Sequence, residues 1–369
     1  MRFGSSFLFF LVGALICGAG ITVSNFRLQR APLDLYVQES RSAKVVAQGH
    51  AIVFPHGMNE AAFRWDLAAE IPAAPDIIVL GSSHAQLLSR DFFPTQRLWN
   101  LAMAGGSLSD DLITFQILDE RHCHPRQWYV FADPWLFEEA KPFTPNWMIR
   151  PKALAAIDQR LAQPGQSGHF AKDLADFHAT QTQAVYQLDP VLAAVDQVVR
   201  GWIDRPVIAD AAVYHVPIIR ADGSMEDQSK RSRSTAEVTA LALRQFNEKI
   251  DRHRYGTFAE IDSESVRVFE NWIRLLRQGD AGVTLVFAPY HPAVYPVATA
   301  ERNNRLKDVE AIFRRIATDH GCEVVGNYNP AKAGVTPDDF SDGDHLKVVG
   351  LKKLFGVLTS QPPPPPEVR

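Results

Sequence analysis

Short, mainly apolar runs, each followed by a stretch with helical periodicity, recur along this chain from about residue 76 onward. Such runs are typical of strands buried on both faces of a parallel sheet, whose crossover connections are helices. The strand candidates are residues 76–80, 97–101, 127–132, 283–288 and 322–325. The alternation predicts an α/β fold in three layers, with helices covering both faces of a parallel sheet.

The composition divides the chain into four parts. The alternating pattern occupies residues 76–360, but between about 137 and 280 it gives way to helical segments that are too long for one crossover. This stretch predicts a helical insertion in the sheet domain. The other three parts are an apolar N-terminus, a polar stalk and lead-in that contains prolines, and a proline-rich tail, over residues 1–25, 26–75 and 361–369.

The N-terminal part contains an uncharged apolar run of seventeen residues, 7–23, with Arg2 before it and Arg27 after it. Its length is close to the roughly 20 residues that span a bilayer. Three interpretations stay open: an uncleaved signal-anchor, a cleaved signal peptide and a buried core helix. A signal-anchor implies a protein attached to the inner membrane that faces the periplasm or another extracytoplasmic space, and a cleaved signal implies a secreted one.

Charge and glycine patterns exclude several classes of function. The net charge is −4, and no basic stripe interleaved with aromatic residues is present, so we expect no nucleic-acid partner. No Gly-x-Gly-x-x-Gly follows any strand candidate, which argues against dinucleotide binding. A Gly-x-Ser-x-Gly elbow is also missing, so the chain does not fit the α/β-hydrolase pattern.

The cysteines give no clear signal. Cys123 and Cys322 either form a disulfide in an oxidising compartment or stay as two buried thiols, and nothing local decides between these. His122 and His124 flank Cys123, but adjacent side chains point apart and Pro125 follows. This segment is therefore interpreted as a loop, and no metal site or cofactor is predicted.

Two separated segments carry the residue types of nucleophilic catalysis. Ser82 and Ser83 directly follow the strand candidate 76–80, and Asp342 precedes His345 by three residues near the C-terminus. A serine at the carboxyl end of a buried strand, with a His as base and an Asp as its orienter, is the makeup of an activated hydroxyl. Each segment alone also fits a structural role, since Ser and Asp commonly cap helices.

Other polar residues end neighbouring strand candidates, where parallel strands present their ligands. Asn100 and Gly105 follow the second strand, and Asp133 and Trp135 follow the third. Tyr290 and His291 follow the fourth. Asn100, Asp133, Trp135, Tyr290 and His291 are therefore possible substrate-binding residues, although packing in a loop explains Tyr290 and His291 equally well.

These segments together resemble the SGNH hydrolase (GDSL-like) superfamily, in its divergent membrane-associated bacterial branch. Its first block matches residues 81–83, the glycine of its second block matches Gly105, and its Asp-x-x-His block matches Asp342 and His345. The resemblance covers roughly residues 76–136 and 282–358. It implies a three-layer α/β/α fold of SGNH or flavodoxin-like type, with Ser83 as nucleophile, His345 as base and Asp342 as orienter. The backbone N–H groups of Ser83 and Gly105 then form the oxyanion hole.

One block departs from the family. The third block has an Asn that donates to the oxyanion, whereas this chain has Asp133, and an ionised Asp cannot donate. The oxyanion hole would then rest on the N–H groups of Ser83 and Gly105, unless Trp135 or a residue of the insertion helps. Losing one such donor typically slows an enzyme by a factor of about 100 to 1000.

The resemblance implies a serine-dependent acyl hydrolase or O-acyltransferase that acts on a cell-envelope polysaccharide or a related acyl ester. Its partners are then an acyl donor, a glycan or ester substrate, the membrane through the N-terminal helix, and a partner membrane acyltransferase. The alternative is a catalytically inactive SGNH-like scaffold or carbohydrate-binding protein of a polysaccharide assembly complex. No cofactor is needed for the acyl chemistry.

Overall fold

The computed structural model describes residues 37–54, 57–72, 74–138, 145–183, 208, 217–226, 233–248 and 251–359. The predicted signal-anchor at 7–23 and the proline-rich tail at 361–369 lie outside these residues. Within the described part of the chain, no helix combines the length and the apolar character needed to cross a bilayer.

Strands and helices alternate from the middle of the chain onward, as the sequence predicts. The strands are β1 Ile52–Val53, β2 Ile77–Leu80, β3 Leu98–Asn100, β4 Gln127–Phe131, β5 Ile218–Ile219, β6 Met225–Glu226, β7 Gly282–Phe287 and β8 Glu323–Gly326. The α-helices are α1 Val37–Ala47, α2 Glu60–Glu70, α3 Leu108–Glu120, α4 Pro151–Leu161, α5 Ala171–Gln183, α6 Thr235–Asn247, α7 Ser263–Leu276, α8 Tyr295–Thr299, α9 Leu306–Asp319, α10 Pro330–Ala333 and α11 Val348–Thr359.

Five of these strands form a parallel sheet in the order β3-β2-β4-β7-β8. Each begins and ends within one residue of its predicted position. The order is flavodoxin-like, because the chain steps outward from β2 to β3 and then returns to the other side of β2 with β4. The connections after β2 and β4 therefore diverge, and a crevice opens between them at the carboxyl edge of the sheet.

Alternate residues of the strands face two separate apolar layers. On one face, Ile78, Trp128 and Leu285 pack with the helices α2, α3, α7 and α9. On the other, Val79 and Phe131 pack with the loop after β2 and with α11. Since successive side chains of a strand point to opposite faces, strands that are apolar at every position need both layers. The predicted α/β fold in three layers is confirmed.

The described part of the predicted stalk is folded against the sheet domain instead of extending from it. Helices α1 and α2 pack on each other, and Phe63 and Trp65 of α2 are fully buried in the main core. The Asn59 side chain caps α2 by accepting the N–H of Ala62 at 3.0 Å. From residue 37 onward, the described residues of the predicted stalk and lead-in thus pack on the sheet domain, which the prolines of this segment do not reveal.

The range of the predicted insertion contains two kinds of structure. Helix α7, at its end, contributes Phe269 and Trp272 to the main core and leads directly into β7, so it belongs to the sheet domain. Earlier in the range, β5 and β6 form a small antiparallel sheet with β1, in which Ile52 pairs with Ile219. The insertion is thereby tied to the N-terminal segment.

The two cysteines of the described chain are free thiols. Cys123 is buried, with its Sγ 3.6 Å from the carbonyl oxygen of Pro72, and Cys322 is half-buried. Of the two interpretations that the sequence leaves open, the structure has the reduced one.

We predict that Trp65→Ala lowers the free energy of unfolding by about 3–5 kcal/mol, because a fully buried indole leaves a cavity between α2 and the sheet. Urea denaturation measures this loss. Glu70→Ala, on the exposed side of the same helix, serves as the control and is expected to change the free energy by less than about 0.5 kcal/mol. A Trp65→Ala protein as stable as the control would contradict the packing of α2 on the domain.

Candidate active site

A glycine with a positive φ starts the turn after β2. Gly81 has φ +125°, and a Cβ at this position would meet the Cβ of Phe131 at 2.7 Å. Its N–H donates to Asp111 Oδ1 at 3.1 Å. Only glycine combines this backbone conformation with so close an approach to β4. The turn therefore places the next residues at the crevice between β2 and β4.

The two serines that follow have different surroundings. Ser82 is fully buried, and its Oγ accepts the N–H of His84 at 3.2 Å. Ser83 is half-buried, and its Oγ lies 2.8 Å from Nε2 of His345. The structure thus brings together the serine and the histidine that the sequence predicts as nucleophile and base.

Asp342 holds the other side of the His345 ring. Both of its carboxylate oxygens lie 2.9 Å from Nδ1. Its Oδ1 also accepts the backbone N–H groups of Asp344 at 3.1 Å and His345 at 2.8 Å, which fixes the carboxylate within its own turn. With Nδ1 as a donor, neutral His345 has its lone pair on Nε2, facing the Ser83 hydroxyl.

A second carboxylate, which the sequence analysis did not single out, reaches the same nitrogen. Asp344 Oδ1 lies 3.1 Å from Nδ1 of His345, and Asp344 Oδ2 lies 2.8 Å from Arg254 Nη2. Burial raises the pKa of Asp344, but the charges of His345 and Arg254 outweigh it and hold this pKa well below its usual value. Asp344 is thus a buried anion beside the base.

The electrostatic surroundings make His345 a strong base. Burial by itself lowers the pKa of His345, but the carboxylates of Asp344 and Asp342 raise it to about 9. The imidazolium is therefore the favoured form at neutral pH. Only the neutral ring can accept the Ser83 proton at Nε2, and the population of this form rises as the pH approaches 9.

His84 lies behind the nucleophile turn, between two carboxylates. Its Nδ1 is 2.6 Å from Asp133 Oδ1, and its Nε2 is 3.4 Å from Asp344 Oδ2. Burial lowers the pKa of His84, but the charges of Asp133 and Asp344 outweigh it, and the net shift is upward. Asp133, predicted as a possible substrate-binding residue, is buried against His84 instead of facing the crevice.

The loop with Gly105 lies beside the nucleophile turn. The Met103 N–H donates to the carbonyl oxygen of Gly81 at 3.0 Å, and a Cβ on Gly106 would meet the same oxygen at 2.8 Å. Among the described residues, no protein acceptor takes the backbone N–H of Ser83 or of Gly105. Neither of the two predicted oxyanion donors is therefore committed to a protein acceptor.

Trp135 contacts the loop that contains Gly105. Its indole N–H donates to the carbonyl oxygen of Gly106 at 2.9 Å, and its ring packs on His84 with centroids 5.5 Å apart. The indole N–H is thus occupied and does not replace the oxyanion donor that Asp133 fails to supply. The prediction that Trp135 binds substrate is corrected to a packing role.

Asn100 is likewise a structural residue. It is fully buried, and its side-chain nitrogen donates to the carbonyl oxygens of Ala85 at 2.7 Å and Leu88 at 2.9 Å. It thereby fixes the chain just after the nucleophile turn. The predicted substrate contact is corrected, since a side chain so enclosed does not face a ligand.

Tyr290 and His291 are also enclosed. The Tyr290 hydroxyl donates to the carbonyl oxygen of Arg254 at 2.5 Å, and its ring packs edge-on against His84. The backbone N–H of His291 donates to the carbonyl oxygen of Gly343 at 3.0 Å, and its buried ring packs on Phe340. Of the two roles that the sequence left open, the structure supports packing around the Asp342–His345 turn.

A pocket of about 360 Å³ opens at Ser83 and His345. Its apolar wall consists of Leu87, Met225, Leu346, Val348 and Val349. At its rim, Arg220 pairs with Asp91 at 2.8 Å. The wall combines the loop after β2, strand β6 and the start of α11, so the small sheet of the insertion supplies one side of the site.

Donor atoms of His84, Asp344 and His345 lie within 4.8 Å of one another, the one such grouping among the described residues. Ion pairs and hydrogen bonds among these groups and their neighbours account for the grouping. We therefore interpret it as a charge network and assign no metal ligands.

Neither the protein-family models nor the curated proteins compared with this sequence give a match. The functional interpretation of the site thus rests on its geometry and on the motifs.

Several residues of the site are not predicted from the sequence. His84 and Asp344 stand next to predicted catalytic residues, so proximity to the motifs was a usable signal. Arg254 and Met225 lie in the insertion, far from any motif in sequence, and only the fold brings them to the site.

We predict that the imidazole of His345 titrates with a midpoint near pH 9, because the two carboxylates favour its protonated form. NMR of protein labelled at histidine measures the midpoint, and the signal is assigned by its loss in His345→Gln. Because the pKa of His345 is raised, its ring is charged below the midpoint and becomes a neutral base above it. A midpoint at or below 6.5 would contradict the described surroundings.

Proposed function

We propose that this protein is a serine-dependent acyl hydrolase or O-acyltransferase of SGNH type that acts on a cell-envelope polysaccharide or a related acyl ester. One observation carries the proposal: Ser83 Oγ lies 2.8 Å from His345 Nε2, while Asp342 contacts the opposite ring nitrogen at 2.9 Å. This is the geometry of an activated serine nucleophile.

The chemistry proceeds in two steps. Ser83 Oγ attacks the acyl carbonyl as its proton passes to His345 Nε2, and the backbone N–H groups of Ser83 and Gly105 stabilise the oxyanion. When the intermediate collapses, His345 returns the proton to the leaving alcohol oxygen, which leaves an acyl group on Ser83. Water or a glycan hydroxyl then attacks this ester, again with His345 as base, and Ser83 is regenerated.

The chain lacks a side-chain donor at the position of the family's third block. Asp133 stands there and is committed to His84 at 2.6 Å. Two backbone N–H groups would therefore carry the oxyanion alone, so slow turnover of simple esters fits the proposal.

The choice of substrate rests on the pocket and on the N-terminal sequence. A pocket of about 360 Å³ beside Ser83 has room for more than a small acyl group, so part of the alcohol or the acceptor fits with it. Its rim carries polar and charged groups, including Arg220, Glu226 and Lys347, which suit a hydroxylated substrate. The apolar run 7–23 motivates a location at the cell envelope.

We predict that a fluorophosphonate probe forms an adduct at Ser83 with loss of fluoride. Ser83→Ala abolishes the adduct, and His345→Ala slows its formation by a factor of about 100 or more, since proton removal from the hydroxyl is lost. The matched control is Ser82→Ala, which removes the neighbouring hydroxyl and leaves the adduct at Ser83. In-gel fluorescence and peptide mass spectrometry give the readout. No adduct on the folded full chain would contradict the enzyme and favour the scaffold.

A second prediction separates hydrolysis from transfer. With p-nitrophenyl acetate as donor, addition of a soluble glycan is expected to yield O-acetylated glycan at the expense of acetate, because the pocket is open to an acceptor. Mass spectrometry of the glycan and an assay of acetate measure the partition, and Ser83→Ala is the control for uncatalysed transfer. If the ratio of products ignores the glycan, the transferase half of the proposal fails and the hydrolase half stays.

A further inference from the structure

Two carboxylates, instead of one, contact Nδ1 of His345. Asp342 does so with both oxygens at 2.9 Å, and Asp344 Oδ1 lies at 3.1 Å. The side chains of Asp342 and Asp344 are 12% and 3% exposed, so solvent screens Asp344 least. A charge this close and this enclosed acts strongly on the ring.

Asp344 is held in turn by an arginine and a histidine. Arg254 Nη2 lies 2.8 Å from its Oδ2, and His84 Nε2 lies 3.4 Å from the same oxygen. Arg254 belongs to a 3₁₀ turn of the insertion, Arg252–Tyr255. The Tyr290 hydroxyl donates to the Arg254 carbonyl oxygen at 2.5 Å and so holds this turn in place. His84 is fixed from behind by Asp133 at 2.6 Å.

Four further titratable groups around His345 and its carboxylates carry no charge at neutral pH. Burial raises the pKa of Tyr255 and Tyr290, and it lowers the pKa of His253 and His291. The charged groups are those of the network itself, namely Asp133, His84, Asp344, Arg254 and Asp342. One more carboxylate, that of the half-exposed Asp251, lies 3.9 Å from Arg254 Nη1.

The signs of these charges favour a proton on His345. Three buried carboxylates face at most two cations, Arg254 and His84, so at least one negative charge is left over when His345 is neutral. The half-exposed Asp251, beside Arg254, adds a further negative charge. The proton that Ser83 gives up offsets one of these charges. Such an arrangement stabilises the imidazolium that forms as the hydroxyl attacks.

We infer that Asp344, fixed between His84 and Arg254, is a second orienting carboxylate for His345, and that Arg254 joins the insertion to the catalytic machinery as a positioning residue. The inference rests on the proposed function. It assigns the insertion a role in setting the basicity of the site, besides lining the pocket.

The first test compares two Asp→Asn variants of the full chain by histidine NMR and by the pH dependence of fluorophosphonate labelling. Asp344→Asn keeps the shape and removes the charge, so the His345 midpoint and the rising limb of the labelling rate are expected to move to lower pH by about one unit or more. Asp308→Asn, an exposed carboxylate on α9, leaves both in place. If Asp344 were purely structural, Asp344→Asn would be labelled more slowly at every pH, and the pH range over which the labelling rate rises would stay the same.

The second test addresses Arg254 and does not depend on the folding of Asp344→Asn. Arg254→Gln is expected to slow labelling at pH 8 by about 10-fold or more, because Asp344 loses its closest cation, and Arg254→Lys restores part of the rate. The inference would be overturned if Arg254→Gln were labelled at the rate of the unsubstituted protein. It would also be overturned if the labelling rate of folded Asp344→Asn rose over the same pH range as that of the unsubstituted protein, with Ser83 still reacting. Failure of the proposed function is distinguishable, since then the unsubstituted protein itself forms no adduct at Ser83.

Discussion

The hydrogen bond between Ser83 and His345 joins two segments that are 262 residues apart in sequence, and the arrangement of the site depends on it. It forms because the strand order places the turn after β2 and the turn before α11 at the same carboxyl edge of the sheet. Gly81 makes the first turn possible by approaching β4 without a side chain. The buried sheet is therefore the rigid support on which the hydroxyl and the imidazole meet.

Around this hydrogen bond, buried charges are arranged in alternation. Asp133, His84 and Asp344 form one row behind the nucleophile turn, and Arg254 closes it from the insertion. Buried ions need partners because their desolvation is unfavourable, and here each partner also touches the next group in the row. The network accounts for an acidic side chain at the end of β4, because Asp133 lies 2.6 Å from the buried ring of His84.

Much of the architecture could be predicted from the sequence, since the strands are continuous apolar runs and Ser83, Asp342 and His345 lie in motifs at their ends. The errors have a common physical cause. The sequence places helix α2 in a stalk and lead-in because local prolines do not reveal tertiary packing. It indicates Asn100 as a ligand-binding residue because a position at a strand end does not reveal where a side chain points. Arg254 could not be found at all, because its place at the site depends on how the insertion folds back onto the sheet.

The most direct test of the central claim is a crystal structure of the full chain after reaction with a fluorophosphonate. We predict phosphorus bonded to Ser83 Oγ, a phosphoryl oxygen within hydrogen-bond distance of the N–H groups of Ser83 and Gly105, and His345 Nε2 facing the adduct. An adduct on another side chain, or a His345 ring turned away from a phosphonylated Ser83, would contradict the account.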